Sequence, residues 1–566
     1  MFGFFSLVIF ANFAKKYKLM AIPYKLCALA ALLFSAASFA QQKTSPAVLR
    51  ASDFEHYVDY FNRMEDENVA QAIPNAQSWE FLQKNIPLFS CPQDNFEEVY
   101  YFRWWSLRKH LRQTPDGYVF TEFLVNRSYA DKYNMISSGL GHHVFELRWL
   151  HEQQYLNDYV RVWYRGNEGK PLERLNAFSS WTAYALLNRY FVNMDSKFFT
   201  NLLPDLAAEY RAWERENRLP NGLFWQYDVR DAMEETISGG RRERNARPSI
   251  NSYMYGNARA VAFAASMAGN KELEKLFSAK ADTLKTLVEK RLWNASRSFF
   301  ETLKEADTLV NAREAIGYIP WYVNMMSGSN PMYGEAWRQA ADENGFLSPY
   351  GLTTAERRHP QFRAHGCCRA QLGSCCKCEW DGAIWPFATS QTMTGLANFM
   401  NEQSQHIVSS TSEYWNGTGY DNIERRSQNI VSVSDYFRLM ELYVEAQHHR
   451  GRPYIGEYQD EVTGYWLKGD QERSRYYNHS TFADLIITGL VGLRPRPDNT
   501  LEVNPLIPQD RWDWFCLDNV LYHGKIVTVI WDKSGAKFNR GKGFRVLVNG
   551  REAAKSDKLE RITGKL

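Results

Sequence analysis

The segment 251-NSYMYGNARAVAFAASMAGNKELEKLFSAKADTLKTLVEKRL-292 predicts two helices joined by a short turn. Apolar residues recur at helical spacing over Asn251–Met267, and Gly269-Asn270 ends that helix, because glycine just past the last turn is a common stop signal. The second helix is expected over Glu272–Leu292, with Leu273, Leu276, Leu284 and Leu287 on one side. Each helix of such a pair buries its apolar face against neighbouring helices.

Stretches on either side of this pair have the same pattern. The expected helices are Ser180–Asn193 with Lys197–Asn217, Thr389–Asn401 with Ser432–Arg450, and a last one over Thr481–Leu493. Because helical pairs with short turns stack on one another, we expect a mainly α domain over residues 94–493. A helical lead-in over residues 41–93 is expected to precede it.

The helical spacing of apolar residues ends at Leu493, and the composition changes after it. Several prolines interrupt the chain, and three short runs rich in β-branched and aromatic residues follow. They are Asn519–Tyr522, Lys525–Trp531 and Gly543–Val548. We therefore expect residues 494–566 to form a small C-terminal β-sandwich domain that packs on the helical body.

The composition of the 566 residues is that of a globular protein, with 45% hydrophobic and 23% charged residues. The net charge is only +3, whereas a nucleic-acid-binding protein usually has a basic excess or a basic face. The content of 18 Trp, 32 Tyr and 34 Phe is high. Aromatic rings fill cores and also stack on the apolar faces of ligands. We expect no nucleic-acid partner, and we look for acids beside these rings.

The N-terminus has the pattern of an export signal. Lys25 precedes an apolar run over Leu26–Phe39, and the sequence Ser38-Phe39-Ala40 at its end has the small residues Ser38 and Ala40 of a cleavage site. Residues 1–40 are therefore predicted to be a signal peptide, with Met1 and Met20 as alternative starts. No run here reaches the about 20 apolar residues of a membrane-spanning helix. We expect a secreted protein of the periplasm without a membrane span.

Seven cysteines follow this signal, and five of them lie between Cys367 and Cys378. Only one C-x-x-C spacing occurs there, from Cys375 to Cys378, without a second pair to complete a zinc site. Disulfides or buried thiols are therefore expected rather than a metal. No cofactor is predicted, and a bound calcium ion is left open.

Acidic and aromatic side chains come together in the segment 222-GLFWQYDVRDAMEETISGG-240. Trp225 and Tyr227 lie close in sequence to Asp231 and Glu234. A carboxyl beside rings is desolvated, which favours its neutral form and raises its pKa. This pattern is typical of a general acid that protonates a sugar oxygen, and a surface acidic loop is the equally weighted alternative.

A second segment, 379-EWDGAIWP-386, places Trp380 and Trp385 around a glycine just before a predicted helix. Two tryptophans at this spacing indicate a rigid aromatic platform for a sugar ring. Packing at the helix entry is the alternative interpretation.

A third segment, 454-YIGEYQDEVTG-464, holds Glu457 in a turn flanked by glycine. A carboxylate in this position can accept a proton from water. An ordinary solvated turn carboxylate is the alternative, and spacing alone slightly favours it.

Taken together, the three segments resemble the six-hairpin (α/α)6 glycosidases, the group of the trehalases and processing α-glucosidases. Within that group the likeness is to the mannosylglycerate-hydrolase-like branch near glycoside hydrolase family 63, and it covers roughly Asp94 to Leu493. The family's acid follows a Gly and a Trp or Met, which Ala232-Met233-Glu234 resembles with Ala for Gly and Glu for Asp. The family's W-x-G-x-I-W motif is matched from Trp380 to Trp385. Its base stands six residues before a Thr-Gly pair, as Glu457 does here.

This resemblance implies an (α/α)6 barrel that hydrolyses an oligosaccharide or glycoside with inversion at the anomeric carbon. Glu234 is implied as the acid, with Asp231 as the alternative, and Glu457 as the base. An inverting pair of carboxyls stands about 6.5–9.5 Å apart, so that a water molecule fits beside the sugar.

Further side chains are expected to contact the sugar because loops at one end of such a barrel line its pocket. They are Trp104, His142, Trp225, Tyr227, Asp231, Trp380, Asp381, Trp385, Tyr477 and His479. Asp381 is also a weaker alternative for the base. A lone histidine is more often a core residue, which is the alternative for His142.

Two other functions fit parts of the pattern. A polysaccharide lyase on a similar toroid would use Tyr476 or Tyr477 with Asn478 and His479 to remove a proton beside a uronate carboxylate. A glycan-binding protein of an uptake system would also be helical and rich in tryptophan, but no cysteine stands at the signal cleavage site for a lipid anchor. The sugar and the oligomeric state are not predicted.

Overall fold

The computed structural model describes residues 47–69, 71–326, 330–365, 378–410 and 430–566. In this part of the chain we number the α-helices in chain order. They are α1 Glu55–Arg63, α2 Ser78–Asn85, α3 Asp94–Lys109, α4 Leu140–Leu147, α5 Gln154–Arg165, α6 Thr182–Asn193, α7 Ser196–Asn201, α8 Leu203–Asn217, α9 Pro248–Met267, α10 Lys271–Arg291, α11 Ile319–Tyr322, α12 Pro331–Gly334, α13 Pro386–Ser410, α14 Val433–Ala446 and α15 Phe482–Asp484. The chain continues from α15 into a π-helical turn over Leu485–Leu490.

Six of these segments form a closed inner ring. Each contacts the next, and the last contacts the first. In ring order they are α4, α6, α9, α11, α13 and α15 with its π-helical turn. The outer layer packs against them and consists of α3, α5, α8, α10, α14 and the 3-10 helix Glu335–Ala340. The predicted (α/α)6 toroid is thereby confirmed.

The helical pair that opened the sequence analysis shows why inner and outer helices differ. Helix α9 is buried on nearly all sides, as an inner helix must be. Helix α10 buries only one stripe, formed by Phe277, Ala281, Leu284 and Val288. Of the predicted stripe, Leu284 is buried and Leu273 and Leu287 pack against the core, whereas Leu276 is 45% exposed and Phe277 takes its core position.

Three predicted helices differ from those in the structure. The expected helix Ser432–Arg450 ends at Ala446, because His448–His449 pairs as a strand with Arg452–Pro453. The expected helix Lys197–Asn217 is divided into α7 and α8, because Pro204 in the first turn of α8 has no backbone N–H to continue the preceding helix. The expected helix Thr481–Leu493 begins as α15 and continues as the π-helical turn over Leu485–Leu490.

Short hairpins connect the helices, and larger strands follow them. In chain order the strands are β1 Leu88–Ser90, β2 Leu111–Thr114, β3 Gly117–Phe120, β4 Trp293–Asn294, β5 Phe299–Phe300, β6 Leu347–Ser348, β7 Gly351–Leu352, β8 His448–His449, β9 Arg452–Pro453, β10 Thr500–Val503, β11 Trp514–Tyr522, β12 Lys525–Asp532, β13 Gly543–Val548, β14 Arg551–Ser556 and β15 Ile562–Lys565. A five-stranded antiparallel sheet has the order β1-β11-β12-β13-β14, and β10 pairs with β15. The predicted C-terminal β domain is confirmed.

One strand of the C-terminal sheet comes from the other end of the chain. Strand β1 pairs with β11, with Phe89 opposite Leu517. The backbone N–H groups of Val48 and Leu49 donate to the Asp518 carboxylate at 2.6 and 2.9 Å. Residues 48–566 accordingly form one compact unit in which the sheet and the toroid share a core.

Some predictions fall outside the described residues, namely the signal peptide over residues 1–40 and four cysteines of the cluster, Cys367, Cys368, Cys375 and Cys376. In the described part, Cys91, Cys378 and Cys516 are thiols. None of the helices described is both long and apolar enough to cross a membrane.

Candidate active site

Asp231 anchors the loop that carries the predicted acid. Its carboxylate is buried and accepts hydrogen bonds from Arg247 Nε at 2.8 Å and from the Ser249 hydroxyl. The same guanidinium donates to Thr236 Oγ1 at 3.1 Å. The loop is therefore pinned to the start of α9, and Asp231 is engaged in this ion pair.

Backbone conformation then sets the direction of Glu234. Ala232 and Glu235 have φ values of 58° and 62°, in the left-handed region that favours glycine. The Glu234 carbonyl accepts a hydrogen bond from the backbone N–H of Trp380 at 3.1 Å. These constraints bring the Glu234 side chain to the wall of a cavity of about 490 Å³. The positive φ of Ala232 also explains why a glycine suits this position.

The environment of Glu234 favours its protonated form. Burial is the main cause and raises its pKa to about 7. The nearby Glu457 carboxylate raises this pKa further, and the Lys468 ammonium opposes the rise. Glu234 therefore keeps a proton close to neutral pH, as a general acid must.

Glu457 is buried beside the same cavity and is held between two cations. Lys468 Nζ lies 3.2 Å from Oε2, and Arg473 Nη2 lies 2.8 Å from Oε1. Its backbone N–H donates to Ser474 Oγ at 3.0 Å. Both cations line the cavity together with Glu234. Two cations are therefore paired with this buried carboxyl next to the cavity.

The predicted tryptophan platform is packed inside the protein. Trp380 stacks on Trp385 with ring centroids 4.7 Å apart, and Trp385 stacks on Tyr458 at 4.7 Å. Both tryptophans are buried. Trp385 Nε1 also donates to the carbonyl of Glu379 at 2.8 Å. The pair supports the loop beneath Glu234, as the helix-entry interpretation expects.

Asp381 borders a second cavity of about 420 Å³ that adjoins the first one. Its Oδ2 lies 2.9 Å from Arg363 Nη2. Burial raises the pKa of Asp381 to about 6, against the opposing effect of Arg363. The two cavities share Glu235 and Arg241 as lining residues.

The remaining predicted side chains lie at different depths. Trp225 and Tyr227 are half-buried and meet edge to face at 4.9 Å. Trp104 is a core residue against Tyr100. His142 is enclosed between Trp181 and Phe387, and burial lowers its pKa well below the usual value.

Tyr477 and His479 are buried next to each other, with ring centroids 3.7 Å apart. Burial lowers the pKa of His479 well below its usual value. The Tyr477 hydroxyl donates to Glu122, and the Asn478 side chain bonds Arg103 and the backbone of Thr121. The side chains proposed for the lyase alternative are thus engaged within the protein.

Several residues of this site were missed by the sequence analysis. Glu122 is a third buried carboxyl, and burial raises its pKa to about 7. Lys468 and Arg473 flank Glu457, and the Cys378 thiol lies 3.5 Å from Glu457 Oε1. Glu122 has no motif around it, whereas the closeness of Lys468 and Arg473 to Glu457 in sequence was a usable signal.

The segment from residue 132 to residue 480 matches the family model described as the mannosylglycerate hydrolase MGH1-like glycoside hydrolase domain. The chain belongs to the MGH1-like glycoside hydrolases. Residues 493–554 match the C-terminal domain of glycosyl hydrolase family 65, so that the β domain also has a counterpart among glycosidases.

Solved structures similar to this MGH1-like chain include a protein named sialidase, with 56% identity and a TM-score of 0.83 over 91% of the chain. The chain spans only 45% of the length of that protein. The GH78 rhamnosidase of Bacillus sp. GL1 is 11% identical, with a TM-score of 0.50 over 80% of this chain and 40% of its own. The GH63 mannosylglycerate hydrolase of Thermus thermophilus is 12% identical, with a TM-score of 0.46 over 69% of this chain and 99% of its own.

The MGH1-like site therefore combines a buried carboxyl whose pKa is raised to about 7, a second buried carboxyl paired with two cations, and a cavity. These are the groups needed to cleave an acetal bond with water. In the described ranges, no group of three or more His, Cys, Asp or Glu side chains is arranged to hold a metal ion.

Proposed function

We propose that this protein is an exported glycoside hydrolase that cleaves glycosidic bonds of oligosaccharides with inversion, using Glu234 as acid and Glu457 as base. The observation that carries this proposal is that Glu234 lines a cavity whose other wall is formed by Lys468 and Arg473, the two cations paired with Glu457. Burial raises the pKa of Glu234 to about 7, while Glu457 is paired with the cations Lys468 and Arg473. Membership of the MGH1-like glycoside hydrolases supports it.

In the proposed reaction, Glu234 gives its proton to the oxygen of the leaving group as the bond to the anomeric carbon breaks. Glu457 takes a proton from a water molecule, whose oxygen bonds the anomeric carbon from the opposite face. The products are a sugar with inverted configuration and a free alcohol. Glu234 ends as a carboxylate and Glu457 ends protonated, and exchange with solvent restores both groups.

Asp231 is less suited to be the acid in this scheme. Its Oδ2 accepts hydrogen bonds from both Arg247 and Ser249, so this side chain is engaged in holding the loop to the start of α9. Glu234 differs in lining the cavity and in having a pKa near neutrality.

The test compares Glu234→Gln and Glu457→Gln with the wild-type protein on a panel of aryl glycosides and oligosaccharides. The panel covers glucosides, mannosides, rhamnosides and arabinosides, and it includes a sialoside because a similar protein is named sialidase. We expect each variant to stay folded by circular dichroism and to lose at least 100-fold in kcat/KM, the range of general acid–base catalysis. Glu216→Gln, at an exposed position of α8, is the control and should keep full activity.

Full activity in either variant would remove that residue from its role. The anomer released by the wild-type enzyme, followed by NMR, tests the stereochemistry, and a product with retained configuration would contradict inversion. An unsaturated product absorbing in the ultraviolet would favour the lyase alternative. Sugar binding without any release would favour the glycan-binding alternative.

Export is tested separately. We expect the full chain, expressed in a bacterium with a periplasm, to be recovered in the periplasmic fraction with a new N-terminus at Gln41, since the predicted cleavage follows Ala40. Retention of the first 40 residues on a cytoplasmic protein would contradict this part of the proposal.

A further inference from the structure

The second cavity, which Asp381 borders, has no role in the proposed reaction. Its volume of about 420 Å³ lies within the range of about 300–1,000 Å³ that is typical of ligand pockets. Most of its wall is able to form hydrogen bonds. The lining residues with polar side chains are Asp228, Glu235, Thr236, Arg241, Gln361 and Asp381. This cavity is therefore built for a polar ligand.

Asp381 presents an unused acceptor at this cavity. The residue is only 7% exposed, and its Oδ2 lies 2.9 Å from Arg363 Nη2. Its Oδ1 is also buried, but no other described residue donates a hydrogen bond to it. A buried acceptor without a partner costs free energy, so that most such atoms in proteins are paired. A hydroxyl group of a ligand in the cavity would supply the missing donor.

The backbone joins the segment of Asp381 to the loop of the proposed acid. The Trp380 N–H donates to the Glu234 carbonyl at 3.1 Å. Glu234 lines the first cavity, and the next residue, Glu235, lines both cavities, as Arg241 does. The two cavities therefore meet at residues adjacent to the acid.

The cations paired with the base indicate which cavity holds the sugar that is attacked. Lys468 and Arg473 line the first cavity, and neither is among the described residues that line the second. Water activated by Glu457 must reach the anomeric carbon, so this carbon belongs in the first cavity. The acid protonates the oxygen on the other side of that carbon. The group bonded to this oxygen then extends past the acid into the second cavity.

The charges of the second cavity indicate the kind of leaving group. Asp228, Glu235 and Asp381 are acidic, whereas Arg241 is the one basic residue among the described lining residues, and its Nη2 lies 3.5 Å from Glu235 Oε1. Carboxylate oxygens accept hydrogen bonds from sugar hydroxyls, but they repel a carboxylate on a ligand. The lining therefore favours a neutral group that is rich in hydroxyls.

We propose that the second cavity is a subsite for a neutral leaving-group sugar, and that Asp381 determines this specificity by accepting a hydrogen bond from a sugar hydroxyl through Oδ1. This inference rests on the proposed function, because it takes Glu234 as the acid between the two sugars. The bond that is cleaved then joins two sugars, and Asp381 has a role distinct from that of the base.

The experiment compares two substrates that share the sugar in the first cavity. One is an aryl glycoside without hydroxyls on the aryl group, and the other is an oligosaccharide with a neutral leaving sugar. In Asp381→Asn, Arg363 can donate only to the amide oxygen, which turns the NH₂ group to the Oδ1 position and replaces an acceptor by a donor. We expect kcat/KM on the oligosaccharide, divided by kcat/KM on the aryl glycoside, to fall about 10-fold or more, as for a lost hydrogen bond to a charged group.

The matched control is Asp205→Asn. Asp205 is also paired with an arginine, since its Oδ2 lies 2.6 Å from Arg165 Nη2. It belongs to α8 and is not among the residues that line either cavity. Its substitution should leave the ratio of the two kcat/KM values unchanged.

The wild-type protein gives a second measurement that depends on no variant. An aryl group leaves more readily than a sugar, so that only binding of the leaving sugar in the transition state can offset the difference. We expect kcat/KM on the oligosaccharide to equal or exceed that on the aryl glycoside. We also expect a neutral leaving sugar to be preferred over a uronic acid at the same position.

An unchanged ratio in Asp381→Asn, a wild-type protein that cleaves only aryl glycosides, or a preference for the uronic acid would overturn this inference while leaving the roles of Glu234 and Glu457 intact. Activity in Glu234→Gln would instead overturn the proposed function. If Asp381→Asn fails to fold, Gln361→Ala is the second variant, because Gln361 is exposed and lines the second cavity alone. Its ratio should fall by a smaller amount, and an unchanged ratio there would also contradict the subsite.

Discussion

At the scale of single residues, the loop around Glu234 shows how backbone conformation and ion pairing are combined. Asp231 is locked to Arg247 on one side of the acid, and two left-handed residues, Ala232 and Glu235, turn the chain so that Glu234 meets the cavity. A left-handed conformation in a residue other than glycine costs about 1 kcal/mol or more. The position of this carboxyl is therefore held at some cost in stability.

Replacing Ala232 by glycine should relieve this strain. We expect Ala232→Gly to raise the free energy of unfolding by about 1 kcal/mol, because glycine adopts positive φ without steric conflict. Urea unfolding measures the change. The control is Ala279→Gly at an exposed position of α10, which should lower the free energy of unfolding by about 1 kcal/mol. A loss of stability in Ala232→Gly would show that the loop is not strained there.

At the scale of elements, the sequence predicted the helical pairs well because their apolar spacing and their stop signals are local. The Gly269-Asn270 turn is an example: Gly269 has a φ of 72°, and Asn270 caps α10 by accepting from the Leu273 N–H. Glu457 was assigned through the family resemblance rather than by its spacing, and the structure pairs it with Lys468 and Arg473, which line the cavity. Contacts between distant parts of the chain could not be predicted from local patterns. An example is the hydrogen bond from Tyr477 to Glu122, which joins residues 355 positions apart.

The aromatic motif shows the same limit. The spacing of Trp380 and Trp385 predicted a rigid pair, which the structure has. Whether their faces meet a sugar or each other depends on burial, and burial depends on what the rest of the chain places around them. Composition cannot distinguish the two outcomes, because aromatic rings serve both purposes.

Close packing between inner helices gives a prediction at this scale. A Cβ added at Gly141 in α4 would lie 2.1 Å from the Trp181 ring at the start of α6, so Gly141→Ala must displace a buried tryptophan. We expect a loss of about 1–3 kcal/mol in the free energy of unfolding, the usual cost of overpacking. Gly256→Ala in α9, where the nearest atom of Tyr184 would be 3.1 Å away, should cost less. Equal stability of Gly141→Ala and the wild type would contradict this packing.

At the scale of the whole molecule, Trp512 joins the β domain to the toroid. Its ring meets Phe96 of α3 at 5.2 Å and Phe437 of α14 at 5.3 Å. Its Nε1 donates to Gln93 at 2.6 Å, and its carbonyl accepts from Trp531 of β12. Since the two parts share this core, they should unfold together.

Calorimetry tests whether the β domain and the toroid unfold together. We expect the wild-type protein to unfold in one transition, and Trp512→Ala to shift that transition downward by the equivalent of about 3–5 kcal/mol without splitting it. Trp514→Ala is the control, because Trp514 is half-buried in the β domain under the Lys537 side chain and should cost within about 1 kcal/mol. Two separate transitions in the wild type would show that the domains are independent.

The pairing of β1 with β11 also dictates an order of events during biosynthesis. Phe89 of β1 lies opposite Leu517 of β11, so the two strands come from opposite ends of the chain. The ribosome therefore releases the first strand of the sheet long before its partner exists, and that strand's edge stays unsatisfied while nearly all of the protein is being made. Unpaired strand edges attract one another between chains. The sheet can therefore close only after β11 has been synthesised, and until then β1 is an open strand edge at the beginning of the polypeptide.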